Sequence, residues 1–498
     1  MKLRLKLNKI HEGAKSAFVY TFATLFSRGL AIITVPIFTR IMTTDQIGIV
    51  NLYSSWYSLI SVVATLSLTS GGLSIALKEF EGERDQYLSS VLSLTSGIGL
   101  LIGVTFLVFS DTMRELTGLS GFLLFLMSVG FIVSPARDFW LARQRYEYKY
   151  KLAAGMTIFS ALAASVLSIV AVKIATSNDL NNHMTIAEYR LIGNYIIVYG
   201  VAAVIWVYLF AKGRTLYHPE YWKRSLSLSI PLVGYAIALQ ILSVSDRLMI
   251  SRMVGDSAVG IYGTLYSVSS LSLLVWSAIN GSFVPYLYQN IGVNDKKIKE
   301  ISFVLLGVYS LVAVGLVYLA PEVVRILTTE EYYKAIFIMP PIAGGIYYTA
   351  ASNMYSNVLV YLKKTKYIMY SAVIAAIFNL VTNYIFIRQY GYMAAAYTTL
   401  LSYIIMSMYL VYFANKCGRE NGVEVSAFYA TGKIGIMTVA TTLLCLAGLL
   451  LYRNSLLRYI VIAVMVLFGG CLVCYLHKKK MMFPGRKSED MDGANGQD

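Results

Sequence analysis

The sequence predicts an all-α integral membrane protein with about fourteen transmembrane helices, two parallel six-helix lobes around a central cavity, and two further C-terminal helices. Of its 498 residues, 57% are apolar and 14% charged, against roughly half apolar and about 25% charged in soluble domains. Apolar stretches long enough to span a bilayer recur from Ser16 to Tyr475, with charges clustered between them. A segment near Arg40 reappears near Arg252, and that repeat supplies the two lobes.

The apolar runs give the elements in order. The first, Ser16 to Thr39, follows the basic segment Met1 to Lys15 but is as long as a span and lacks an A-x-A cleavage pattern, so it is read as retained. The next five are Gln46 to Thr69, Leu88 to Phe109, Thr117 to Ala136, Leu152 to Ile174 and Arg190 to Ala211. A second set of six comprises Leu226 to Ile250, Asp256 to Gly281, Ile301 to Ala320, Ala335 to Val360, Tyr367 to Arg388 and Gly391 to Ala414. Phe428 to Tyr452 and Leu457 to Leu476 complete the count. The organisation is therefore an N-terminus (1–15), an N-terminal lobe (16–211), a C-terminal lobe (212–414), helices thirteen and fourteen (415–476) and a tail (477–498). The tail is polar and Gly-containing, which predicts disorder.

Orientation follows from lysine and arginine. With a cytoplasmic N-terminus, the segments on the cytoplasmic side hold about threefold more of them than those outside. Both termini are then cytoplasmic. The formal net charge of +16 sits in short loops such as Arg137 to Lys151 and Lys212 to Arg224, where topology explains it without a nucleic-acid partner. Only Arg28 and Arg247 fall inside predicted spans.

Arg40-Ile-Met-Thr-Thr-Asp-Gln-Ile-Gly48-Ile49 aligns with Arg252-Met-Val-Gly-Asp-Ser-Ala-Val-Gly260-Ile261 at an offset of 212. Each joins the first and second helix of a six-helix set. Six is even, so the sets enter the membrane with the same orientation and form a parallel repeat about an axis normal to the bilayer, an arrangement suited to alternating access.

Arg28 lies near the centre of its helix, where a charge costs at least ~2.5 kcal/mol and usually faces a cavity or a partner. Thr21 and Thr24 precede it at helical spacing, and Gln240, Ser243 and Arg247 repeat that stripe in helix seven. Two arginines facing one cavity would suit a diphosphate, because guanidinium pairs phosphate oxygens through charge-assisted bonds. The alternatives are contacts to helix-end carbonyls or a carboxylate for Arg28, and Asp246 for Arg247. No helix of the first lobe has an acid near its centre, and Asp246 is the one intramembrane candidate in the second. That scarcity favours an anionic substrate over a cationic one.

The chain has 39 tyrosines. Many suit an aromatic belt at helix ends. Others lie within spans beside Ser, Thr and Asn: Tyr53, Trp56 and Tyr57 in helix two, and Tyr347, Tyr348, Asn353, Tyr355 and Asn357 in helix ten. They offer either stacking on sugars or helix packing, as do Asn379 and Asn383. The candidate substrate-binding residues are thus Arg28, Arg247, Thr24, Gln240, Ser243, Tyr57 and Asn353. Pro36, Pro231, Pro285 and Pro340-Pro341 are candidate kinks or hinges.

Other chemistries are set aside. Gly432-Lys433 lacks the upstream glycine of a phosphate-binding loop. His11, His183, His218 and His477 are scattered, and Cys471-x-x-Cys474 has no second ligand pair, so neither a metal nor another cofactor is expected. With Cys417 and Cys445, those cysteines sit in or beside apolar segments and suggest packing.

Pro36-Ile-Phe-Thr-Arg40 with Asp45 and Gly48, Asp246-Arg247 with Gly260-Ile-Tyr262, and Asn379-x-x-x-Asn383 leading to Tyr390-Gly391-x-x-Ala394-Ala-Ala396 resemble the Wzx-type polysaccharide flippases. These belong to the multidrug, oligosaccharidyl-lipid and polysaccharide exporter superfamily. The resemblance covers the chain to about Leu476 and implies a bacterial inner-membrane secondary transporter, not an enzyme. Such a protein moves an undecaprenyl-diphosphate-linked oligosaccharide from the cytoplasmic to the outer leaflet, with polysaccharide polymerase and glycosyltransferases as candidate partners. The rival readings are a cation-coupled multidrug exporter of the same fold and a membrane glycosyltransferase or polymerase. The longest outside connection, Ala175 to Tyr189, is too short for the catalytic segment the last would need.

Overall fold

A computed structural model describes residues 2–69, 72–177 and 184–478. Among these, all regular structure is helical. The first half comprises α1 (Lys2–Ile33), α2 (Val35–Ile41), α3 (Thr44–Thr65), α4 (Gly72–Glu79), α5 (Arg84–Val108), α6 (Ser110–Thr117), α7 (Gly121–Tyr146), α8 (Tyr150–Ser177) and α9 (Ile186–Gly213). The second comprises α10 (Pro219–Met253), α11 (Asp256–Ser269), α12 (Ser272–Asn290), α13 (Asp295–Tyr318), α14 (Ala320–Leu327), α15 (Met339–Tyr361), α16 (Lys366–Tyr390) and α17 (Ala394–Glu420). The short α18 (Val425–Phe428), then α19 (Thr431–Leu451) and α20 (Ser455–Lys478), follow. Among the described residues thirteen segments are long and apolar enough to cross a membrane, and the apolar stretch Ser455–Leu467 of α20 stands where a fourteenth is expected. The predicted tail lies almost wholly outside the described residues.

Several helices outrun their apolar stretches, because backbone hydrogen bonding continues into water once a helix is nucleated. The correction that bears on the site concerns helix four, expected to end at Ala136. Instead α7 runs to Tyr146 with Pro135 inside it, which moves Arg137 and Asp138 from a loop into a membrane-crossing helix. The prolines also divide. Pro36 and Pro340-Pro341 stand at helix starts, where the missing N–H costs nothing, whereas Pro285 lies inside α12.

Packing joins near neighbours first. In the first half α5, α7 and α9 pack together, and α8 packs on α9 and on α1. In the second, α16 packs on α10 and α17, α15 on α17 and α19, and α13 on α19. In lipid no hydrophobic force drives helices together, so close small-residue contact and polar bonds do. Buried Asn379 accepts from the Ser245 hydroxyl at 2.9 Å and from the Asn383 amide at 3.0 Å, and donates to Thr399 at 3.3 Å. The Thr398 hydroxyl donates to the Asn383 carbonyl. These bonds staple α10, α16 and α17, so both asparagines serve packing, one of the two roles open to them. Tyr347 does likewise, donating to the Leu306 carbonyl at 3.2 Å while fully buried.

The halves meet most closely where α3 crosses α11. The hydroxyls of Thr44 and Ser257 are 2.7 Å apart. A Cβ on Gly48 would overlap the Asp256 carbonyl, and one on Gly260 would overlap that of Thr44. Thr43 accepts from the Gln46 N–H while the Gln46 side chain accepts from the Thr43 N–H, fixing the start of α3. Around this crossing Arg40 donates to the Ile326 carbonyl at 3.1 Å and Thr39 to that of Leu327 at 3.0 Å. Arg252 donates to the Glu115 carbonyl. Each repeated arginine therefore reaches the last turn of a short amphipathic helix, α14 or α6, in the opposite half.

At the other end the start of α10 is tied back to the first half. Arg224 pairs with Glu79, Tyr221 donates to Glu83, Tyr87 bonds Ser225 at 2.8 Å, and the Trp222 indole donates to the Ser90 carbonyl at 2.8 Å.

Candidate functional site

Arg28 lies midway along the crossing segment Val19–Ile41. It is exposed, as is Thr24, and among the described residues it has no hydrogen-bonding or ionic partner. The Thr24 hydroxyl donates to the Tyr20 carbonyl at 2.9 Å, so its methyl is left to face outward. Buried Ala23 marks the neighbouring stripe by which α1 packs.

Arg247, on α10, is half-buried with its guanidinium 4.5 Å from the centre of the Tyr266 ring. Asp246 points elsewhere. It is buried, accepts from the Tyr262 hydroxyl at 2.6 Å and accepts the Arg247 backbone N–H at 2.8 Å. No ion pair joins the Arg247 and Asp246 side chains among the described residues, and the guanidinium lies on the face of the Tyr266 ring. Gln240 and Ser243, two turns and one turn before it, are half-buried.

Tyr57 is half-buried on α3, donates to the Ser134 hydroxyl at 3.1 Å and stacks on Phe131 at 5.1 Å. Tyr53, Tyr195 and Tyr199 extend this cluster, and the Tyr53 and Tyr199 hydroxyls are 3.2 Å apart. The group joins α3, α7 and α9 through ring faces and leaves Tyr57 and Tyr195 partly open. Asn353 is half-buried on α15, whereas its neighbour Tyr355 is buried.

These residues do not form one contact set. α1 packs on α8, while α10 packs on α3, α11 and α16, and no hydrogen bond links Arg28 to Arg247 among the described residues. Arg137, missed from the sequence, belongs with them by depth. It lies ~24 Å along α7 from the Gly121 end at 1.5 Å per residue, within the thickness of a bilayer core. The charge cluster that opens at Arg137 had marked the helix as ended. Cys417 and Cys445 are buried, and the side chains of Cys471 and Cys474 lie outside those described.

Known proteins match the chain in both sequence and fold. The polysaccharide biosynthesis protein family matches residues 14–291, and the MatE family residues 231–385. An uncharacterised membrane protein of Methanocaldococcus jannaschii is 25% identical over 44% of this chain, and the chain spans 45% of that relative's length. A probable low-salt glycan biosynthesis flippase of Haloferax volcanii is 21% identical over 88% of this chain and 89% of its own. Among solved structures, the lipid II flippase MurJ in an inward closed conformation superposes with a TM-score of 0.70 at 16% identity, covering 93% of this chain and 99% of that one. An inward-facing multidrug resistance MATE family transporter of the MOP superfamily gives 0.54 at 13% identity, covering 80% and 96%. At such identities the structural likenesses concern the fold.

Proposed function

The chain belongs to the polysaccharide biosynthesis protein family, and on that premise we propose that it flips an undecaprenyl-diphosphate-linked oligosaccharide across the membrane. It is a multi-pass transporter of the flippase class. The finer reading is that residues 16–211 and 212–414 act as two lobes that alternately open to the cytoplasm and to the outside, with both termini in the cytoplasm of a bacterial cell. The substrate is a diphosphate lipid whose sugars feed surface polysaccharide assembly, alongside a polymerase and glycosyltransferases.

One observation carries the substrate's sign. Arg28 stands exposed at mid-span with no partner among the described residues, and the Arg247 guanidinium lies on the Tyr266 ring. An uncompensated guanidinium at that depth is costly unless something anionic joins it. A diphosphate supplies paired oxygens matched to the planar fork. The acid of the second lobe, Asp246, is buried against Tyr262, and Asp138 of α7 stands beside Arg137.

Under this orientation the α3–α11 crossing lies on the outer side and is shut. Tyr57 and Asn353, both part-open, are then the candidates for contact with sugar.

The test is ligand stabilisation of the purified protein. A ligand that binds only the folded state adds RT ln(1 + [L]/Kd) to stability. The diphosphate glycolipid should raise the thermal midpoint and lipophilic cations should not, with the rise smaller in Arg28→Ala and Arg247→Ala. Stabilisation by a cation that requires Asp246, with no response to the glycolipid, would make the exporter the better reading.

A further inference from the structure

Besides the exposed arginine of α1, the first half holds a partly open space with polar and apolar walls. A cavity of about 320 Å³ lies among α1, α7, α8 and α9, lined among others by Ser27, Arg137, Thr157, Ser160, Ser165 and Asn194. That is room for several waters, each of which takes about 30 Å³ in the liquid, or for one small organic anion.

Its polar groups are not spent on one another. The Nε of Arg137 and the hydroxyl of Ser160 are buried with no hydrogen-bonding partner. Asn194 makes no side-chain hydrogen bond among the described residues. By contrast, the Ser27 and Thr157 hydroxyls donate to the carbonyls of Ala23 and Ala153, each one turn back in its own helix. Residues from three different helices, Arg137 of α7, Ser160 of α8 and Asn194 of α9, thus line one space, with the Arg137 Nε and the Ser160 hydroxyl unpaired among the described residues. Buried polar groups in folded proteins are almost always satisfied by protein, water or ligand. Unlike a stray serine, this set includes a guanidinium.

The lining contains no carboxylate. The acid nearest the guanidinium, Asp138, is 3.8 Å away through Nη2, leaving Nε free. The remaining walls are apolar, including Leu141, Met156 and Val198. Charge-assisted bonds shorten and strengthen where water is scarce, so an anion is the ligand this lining favours.

We infer that this cavity is a binding site for a small oxyanion, a phosphoryl or carboxylate group, held by Arg137 with Ser160 and Asn194 as additional donors. The inference goes beyond the transport reading and needs none of it: the site would bind the free anion whether or not a glycolipid is carried.

The experiment is calorimetric titration of the purified full chain with sodium phosphate, sodium diphosphate and sodium glucuronate, each at ionic strength matched with chloride. Saturable binding of at least one is expected. Preference for the phosphates would assign a phosphoryl ligand, and preference for glucuronate a carboxylate-bearing sugar. Arg137→Gln should raise the half-saturation concentration at least tenfold, and Ser160→Ala should raise it by a smaller factor. Arg137→Lys, which keeps the charge and loses Nε, should fall between wild type and Arg137→Gln, and it guards against mistaking a folding defect for lost binding. Absence of saturable binding by all three anions, or equal binding by wild type and Arg137→Gln, would overturn the inference and leave the cavity to water.

Discussion

Gly48 and Gly260 sit on opposite sides of one crossing, each pressed on the backbone where the other's helix begins. Gly48 meets the carbonyl of Asp256, and Gly260 meets that of Thr44. The pairs 44 and 256, and 48 and 260, are separated by the same 212 residues, so the contact is related to itself by the repeat. The arginines follow the same rule: Arg40 reaches Ile326 and Arg252 reaches Glu115, each in the other half. In the proposed cycle this contact must part when the protein opens outward.

A methyl group at either glycine cannot fit without moving backbone. In a variant lacking native cysteine, Thr44→Cys should react with a maleimide several-fold faster when Gly260→Ala is added, because the crossing is forced apart. An unchanged rate would show that the contact closes nothing. With cysteines at both Thr44 and Ser257, whose hydroxyls are 2.7 Å apart, oxidation should stop transport and reduction should restore it.

Arg28→Ala should insert at least as well as wild type, since it removes a central charge costing at least ~2.5 kcal/mol, and yet fail to support polymer export. Arg28→Lys should retain part of the activity, keeping the charge but losing the fork. Complementation by Arg28→Ala at wild-type level would remove this residue from the site.

At the other end, the Arg224 guanidinium bonds Glu79, through Nε at 2.7 Å, and holds its carboxyl below the usual carboxylate range. A carboxylate whose value is lowered on folding contributes stability above its unfolded value and loses it as pH falls through the folded one. The tie between α4 and α10 should therefore hold at neutral pH and fail in acid. Because the pair is exposed, high salt should weaken it too. Glu79→Gln should flatten the fall in thermal midpoint between about pH 6 and pH 3. A profile identical to wild type would show that the pair contributes nothing.

Orientation can be read with cysteine labels at Asn181, which lies outside the described residues, and at Asn294. Applied from outside, an impermeant reagent should label the first and spare the second. Equal labelling would reverse or break the assigned topology.

Much of the fold was legible, because a span must be a long apolar run and the runs can be counted. The Gly48 and Gly260 repeat was legible too, since both its spacing and its apolar positions survive. The true ends of helices were harder to read. Arg137 and Asp138 read as a stop, yet α7 continues to Tyr146, and Arg137 lines a space among α1, α7, α8 and α9 rather than facing lipid alone. The partners of Arg40 and Arg252 were silent in the sequence, being backbone carbonyls that any residue supplies. Of the tyrosines, Tyr347 and Tyr57 look alike in composition, and only burial separates the packed ring from the part-open one.

The central claim is that this protein moves a diphosphate-linked glycolipid and uses Arg28 to do so. The direct measurement reconstitutes it into vesicles carrying a fluorescent undecaprenyl-diphosphate glycolipid, followed by an impermeant reductant that bleaches only the outer leaflet. Wild-type vesicles should lose nearly all fluorescence, while protein-free vesicles and those with Arg28→Ala should lose about the outer half. Bleaching by wild type that stops at the protein-free level, or the same loss with Arg28→Ala as with wild type, would contradict the account.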